Sequence, residues 1–406
     1  MPKFTYPIID LLDPEFIRNP YTFYNFLRES QPLAQIKNGT YVLSRYDDVK
    51  FALKRYDIFS SGWSDAPLIH PDWLDAEAQR GSFMAEKDPP EHTQHRAIVH
   101  KAFIEKSIKA LIPEMNGSAQ RLLSRIKPNE HFDFLSVFAY PYVTELSDTI
   151  TGLGLSKTGK TRYWAEIVES FPIECPVGQA RASLKKVIDE QNAYYDSLIR
   201  ARQEVPREDL ITRLAQAKVD GQALTKAQIR GALNLFTLGG FQAPGQMLAN
   251  AAIVLANEPE LANFARQSFE NLCAFIEELL RLHNPSQGSI RITRSEVTLS
   301  GGTIPANSNV IVLIGSANRD PRQFENPDEF IPFRGNIKSH LGFGQGPHVC
   351  IGEALARWQL RVAIGYLLES FDTIECEPFE KQRWESNMLG RMLRNLPIRL
   401  IKSSSL

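Results

Sequence analysis

Cys350 is set apart from the other cysteines of this 406-residue chain by its surroundings. The stretch Phe343-Gly344-Gln345-Gly346-Pro347-His348-Val349-Cys350-Ile351-Gly352 puts two glycines before the thiol and one just after it. The first two allow tight turns at positive φ, and Gly352 permits close approach of another body. The run from Ile351 to Ser370 reads as a helix whose first amides point back at Cys350. Those donors and the helix dipole favour a thiolate over a thiol. Cys175, Cys273 and Cys376 have no such setting and read as small buried hydrophobes. No C-x-x-C pair occurs, which excludes zinc ribbons and dithiol redox motifs.

Two other constellations carry charge at helical spacing. Glu278-Leu279-Leu280-Arg281 puts an acid and a base three apart on one helical face, where they can pair. In Asp88-Pro89-Pro90-Glu91-His92-Thr93-Gln94-His95-Arg96, His92 and Arg96 lie four apart, again on one face.

The cysteine loop resembles the haem-binding string F-x-x-G-x-[HR]-x-C-x-G of the cytochrome P-450 family, and matches it throughout. Glu278 and Arg281 look like the family's E-x-x-R, Arg334 in Phe330-Ile331-Pro332-Phe333-Arg334 like its third charged partner, and 88–96 like D-P-P-E-H-T-x-x-R. Asn318-Arg319-Asp320-Pro321 and Leu393-Arg394-Asn395-Leu396-Pro397-Ile398-Arg399 are similar to segments of soluble bacterial members, so the resemblance runs from roughly residue 10 to 402. It implies that Cys350 is the proximal thiolate ligand of a haem b iron, within a loop bounded by Phe343 and Gly352. It implies that His92, Arg96, Arg291 and His348 hold the haem propionates, since buried carboxylates need charged or hydrogen-bonding partners. Glu278, Arg281 and Arg334 would maintain the scaffold. The implied fold is mainly α with a smaller β portion, with a long helix over the haem. The implied activity is a monooxygenase inserting one oxygen atom from O2 into a small, largely hydrophobic organic substrate, by hydroxylation or O-dealkylation. Electrons would come from a separate ferredoxin and ferredoxin reductase, because the cysteines offer no cluster spacing.

One segment departs from the family. Where most members carry an acid followed by a threonine, this chain reads Gly239-Gly240-Phe241-Gln242-Ala243-Pro244-Gly245. Gln242 takes the acid position and Ala243 the alcohol position; neither is a Brønsted acid, although Gln242 can hold a water. Pro244 removes a helical amide and clashes with the preceding turn, at about 3 kcal/mol or more. With Gly240 nearby, a locally opened helix is expected, exposing carbonyls that bind water or dioxygen. A similar Gln-x-Pro-Gly pattern occurs in members that O-demethylate small methoxyaromatic acids, usually with Glu at the position of Ala243. A peroxide-driven peroxygenase is the alternative, since it needs no acid–alcohol pair. Against it, the segment lacks the arginine before proline of fatty-acid peroxygenases. A non-catalytic haem sensor is disfavoured because no effector segment is evident.

The elements that must position these residues follow from pattern. Pro32–Tyr46 reads as a hairpin about Asn38-Gly39. Thr225-x-x-Gln228 is a capping box opening a helical run to Asn257, and Leu272–Leu282 is a helix stopped before Pro285. Residues 289–315 look β-rich, and a loop-rich stretch leads to residue 349. Cavity walls are expected from 63–83, 171–175, 238–243, 286–290 and 387–388, with Gln287 and Ser289 as polar exceptions. His95 and His100 read as solvated, and His70, His131, His283 and His340 as structural. With 46 Lys+Arg against 47 Asp+Glu, the chain lacks the basic excess of a nucleic-acid binder. No 18-residue apolar stretch suggests a membrane span. A cytoplasmic monomer is expected, built as one catalytic domain over 1–406 with 403–406 as a tail.

Overall fold

The computed structural model describes residues 13–36, 38–62, 83–169, 178–385 and 389–402. Its strands are, in chain order, β1 Leu33–Gln35, β2 Tyr41–Leu43, β3 Phe59–Ser60, β4 His131–Asp133, β5 Lys218–Val219, β6 Gln222–Ala223, β7 Ser289–Thr293, β8 Val297–Leu299, β9 Gly302–Ile304, β10 Asn309–Val312, β11 Thr373–Glu375 and β12 Pro397–Ile401. β1 and β2 form the expected hairpin, with Leu33 opposite Leu43 and Gly39 at φ +86° in the turn. β2 then lies parallel to β10, and the sheet continues through β7 to β3. Chain from both ends thus meets in one five-stranded sheet. The closing strand β12 pairs with β11 and β4 in a second sheet.

Helices supply the remaining frame. The Thr225 capping box forms in both directions and opens the helix Lys226–Gly239. That helix ends at Gly240, and a second begins at Gln242 and runs to Asn257. The opened helix expected from Pro244 is therefore present, between Gly239 and Gln242. The helix Tyr140–Thr151 packs across the break, and this contact explains the glycines. A Cβ on Gly245 would lie 2.5 Å from the Tyr140 ring, and one on Gly240 would lie 2.8 Å from both the Phe236 carbonyl and the Ser147 hydroxyl. Phe241 completes the seam by stacking on Tyr140 at 4.2 Å between ring centroids. Gln246 bridges the second helix to the Leu393 backbone through both its amide atoms and also donates to Tyr140 Oη.

Two elements differ from the sequence reading. The last long helix spans Glu353–Ser370, so Ile351 and Gly352 form a turn and the helix starts two residues later than expected. Within the β-rich stretch, Ile314–Ala317 is a short helix that packs beside Tyr46–Lys54. Among the described residues, no helix is long and apolar enough to cross a membrane. The expected tail 403–406 lies outside the described residues.

Candidate active site

A cavity of about 510 Å³ lies between the broken central helices and the cysteine loop. Cys350, Gly352, Phe343 and His348 line one side, and Gly240, Ala243 and Pro244 line another. The loop is held by its own backbone. The Gly344 amide donates to the Leu341 carbonyl at 2.8 Å, Cys350 to Phe343 at 2.8 Å, and Val349 to Gly346 at 3.1 Å. Gly344 and Gly346 sit at φ +71° and +75°, a region open chiefly to glycine. Gly346 is doubly required, because a Cβ there would lie 2.5 Å from the Leu53 carbonyl. Gly352 is different: its Cβ would meet only Cys350 Sγ, at 3.8 Å, so the protein itself leaves the space beside the thiol open.

Cys350 is exposed toward this cavity, while protein packs densely around its other sides. Burial pushes its pKa up, opposed by the Gly352 N–H and, at longer range, by Arg96 and Arg357. The helix-terminus effect expected from sequence is thus reduced here to one amide, and burial outweighs it. A thiol in this state ionises when a cation is supplied, as metal binding does.

Four nitrogen-bearing side chains line another part of the cavity. His92 and Arg96 come from the helix Glu91–Phe103, Arg291 from β7 and His348 from the cysteine loop. The two imidazoles lie 4.3 Å apart, and His92 Nδ1 and His348 Nε2 are buried without a hydrogen-bond partner. Burial, with Arg96 adding to it, pushes His92 down to about 4. Burial, then Arg291 and His92, pushes His348 down to about 3. Burial lowers Arg291 to about 10. Such a cluster of orphaned donors and desolvated cations is complementary to anionic oxygens. A porphyrin with two carboxylates and an iron seeking a thiolate fits this donor set.

Glu278 sits behind the loop with its side chain fully buried. Arg281 grips it with two bonds of 2.9 and 2.7 Å, and Arg334 Nε adds a third at 3.2 Å. Arg281 also donates to the Asn318 carbonyl at 2.8 Å, and Asn318 Oδ1 accepts from the Leu341 amide at 2.7 Å. The charged cluster is therefore tied to the cysteine loop through Asn318.

Some residues fall elsewhere than the sequence suggested. Gln242 is buried, but its side chain does not line the cavity and its Oε1 has no partner among the described residues. Gln287 is not a polar wall residue: it is buried, accepts from Tyr24 Oη at 3.1 Å and donates to the Asn284 carbonyl. Ser289 and Ser286 do line the cavity. His95 is not solvated; it is buried and stacked on Phe83 at 4.7 Å. The expected walls at 63–82, 171–175 and 387–388 lie outside the described residues. Sequence reasoning missed Ser147, Ile150 and Thr151, which reach the cavity from Tyr140–Thr151, and Met247 on the second central helix. No local pattern marks them, because only helix crossing brings them there.

Comparison with known proteins decides the family. The cytochrome P-450 family model matches residues 160–401. Cytochrome P-450 107B1 of Saccharopolyspora erythraea is 31% identical over 404 residues, covering 96% of this chain and 98% of that protein. The chain belongs to the cytochrome P-450 family. A solved cytochrome P-450 from Chondromyces apiculatus superposes with a TM-score of 0.86 at 28% identity, covering 98% of this chain and 99% of that one. A Bacillus megaterium cytochrome P-450, solved in complex with testosterone, gives 0.85 at 26% identity over 95% and 99% of the two chains. As a cytochrome P-450, the protein is an oxidoreductase of the monooxygenase type that uses haem b, the group that the cavity's donor set fits.

Proposed function

We propose that this cytochrome P-450 inserts one oxygen atom from O2 into a small, largely hydrophobic organic molecule, by hydroxylation or O-dealkylation. Electrons come from a separate ferredoxin and its reductase, and the chain works in the cytoplasm as a monomeric, single catalytic domain. The observation that carries the reading is the cavity itself. It joins a thiol with open space beside it, two arginines and two histidines with orphaned ring nitrogens, and apolar walls from Leu235, Ala243, Pro244 and Met247.

In this reading Cys350 is the thiolate that holds the iron. His92, Arg96, Arg291 and His348 hold the two carboxylates, and Phe343 carries the loop beneath. Haem b, when bound, supplies the activation of dioxygen and the transfer of one of its atoms. The chain's task is to orient substrate, exclude bulk water and deliver protons. Pro244 has no amide, so the Gly240 carbonyl lacks the usual i+4 donor and is free to hold a water at the cavity edge. Ala243 contributes no hydroxyl and so leaves room, while Gln242, buried behind the cavity wall with its Oε1 unpartnered, holds a water there by its amide. The testosterone complex of the Bacillus megaterium relative supports an apolar substrate class. Binding titrations against steroids, fatty acids, methoxyaromatics and polyketides, read from the Soret shift, test that class.

The absence of an acid–alcohol pair favours a second reading, a peroxygenase that takes oxygen and electrons from peroxide. Product formation with a surrogate ferredoxin system, compared with hydrogen peroxide alone, decides between them. Faster turnover with dilute peroxide, without bleaching of the haem, overturns the monooxygenase reading.

A further inference from the structure

Asp88 lies just before the helix that carries His92 and Arg96, and three stretches of chain converge on it. Its carboxylate accepts from the Ser61 amide at 2.9 Å, from the Ser60 hydroxyl, and from Arg294 at 2.6 Å. Its carbonyl accepts the His92 amide at 2.9 Å, closing the first turn of the Glu91–Phe103 helix. Ser60 belongs to β3, which pairs with β7 in the register Ser60 to Ile292, one residue from Arg291. Arg294 follows β7 directly, and its amide bonds the Ile58 carbonyl at 2.8 Å. One side chain therefore links the wall that bears His92 and Arg96 to the wall that bears Arg291. The Asp88 side chain is only 7% exposed, whereas Arg294 is 57% exposed.

We propose that Asp88 is a positioning residue for the anion cradle, holding its two walls in register and placing one fixed negative charge behind it. Three observations support this. The carboxylate is held by three donors from two other segments, so its location is over-determined. Its carboxylate lies near enough to Arg291 to favour the charged form of that guanidinium. Desolvation of its own carboxylate is outweighed by Ser60, Ser61 and Arg294, so it stays ionised at neutral pH. A fixed anion behind the cradle offsets the desolvated charge of Arg291 without filling the sites that face the cavity. It also favours the ferric over the ferrous state of a haem held there, because ferric iron carries one more positive charge.

The inference rests on the haem reading, and the experiment separates the two. The wild-type holoprotein is first reduced under carbon monoxide; absence of the thiolate-type band sinks the haem reading itself. Asp88→Asn and Arg294→Gln holoproteins are then compared with wild type by midpoint potential and by haem transfer to excess apomyoglobin. Loosening the register of the cradle is expected to speed haem loss about tenfold in Asp88→Asn, the scale typical of groups that support a metal site's ligands. The potential is expected to move up in Asp88→Asn, which removes an anion, and down in Arg294→Gln, which removes the cation that screens it. Arg294 is well exposed, so its variant keeps the test alive if Asp88→Asn folds poorly. Faster haem loss with no change in potential marks a purely structural contact and overturns the proposal. Shifts of the same sign in the two variants, or none in either, overturn it as well.

Discussion

Replacing Glu278 with Gln should be among the most damaging isosteric changes available in this protein. The carboxylate pairs with two buried guanidiniums and offsets one of their two charges, with Arg281 at 1% and Arg334 at 7% exposure. After substitution the cluster carries two positive charges and no negative one, in a site water does not reach. Removing one partner of a buried pair costs about 3–5 kcal/mol, because the remaining charge stays desolvated. Arg281 would keep its bonds to the carbonyls of Asn318, Pro327 and Glu329, which softens the loss without neutralising the charge. Total stabilities run to only about 5–15 kcal/mol, so roughly a fifth or more of the protein's stability is at stake. The cluster reaches the cysteine loop through Asn318 and Leu341, so haem retention should fail before the helices do. Urea titration followed by both the Soret band and far-ultraviolet circular dichroism measures this, with the Soret midpoint expected to fall further. The exposed pair Lys185–Asp189 serves as control, since pairs of that kind contribute at most about 1 kcal/mol. If Glu278→Gln costs no more than Asp189→Asn, the account of the buried cluster is refuted.

Cys350→Ala should abolish the thiolate-type band of the reduced carbon monoxide complex; its survival would point to another ligand. Gly346→Ala should cost on the order of 3 kcal/mol and block haem uptake, since positive φ and the Leu53 carbonyl both exclude a methyl there; apoprotein denaturation and haem titration measure the two effects. Burial pushes Glu277 up, but bonds from His340 and Arg357 outweigh it and hold its pKa at about 2, below the ordinary 4.5. Because the folded value is depressed, its contribution of about 2–3 kcal/mol is complete above the unfolded pKa and lost as pH falls from 4.5 toward 2. The stability difference between wild type and Glu277→Gln should shrink over that window, and a difference unchanged at pH 3 would contradict the assignment. Gln242→Leu should lower product per electron and raise peroxide release, whereas Ala243→Thr should change coupling only modestly; equal effects would remove Gln242 from proton delivery.

The cysteine loop was legible in the sequence because its chemistry is local: glycines at positive φ, a backbone turn and one thiol lie within ten residues. The opened central helix was legible for the same reason, since Pro244 acts on its own turn. Helical spacing likewise put His92 beside Arg96 and Glu278 beside Arg281. Tertiary structure decided which of these faces are buried. It turned the Glu278 pair into a shared, waterless cluster with Arg334, and it buried His95 against Phe83 where spacing alone suggested a solvated surface. It withdrew Gln287 from the cavity by giving it Tyr24, more than 260 positions away in the chain, and it brought Ser147 and Thr151 in. It also made Gly240 and Gly245 obligatory through a neighbouring helix that local pattern does not reveal. Backbone conformation is set within a few residues, whereas burial and hydrogen-bond partners depend on which elements cross, and that crossing is fixed only by the whole core.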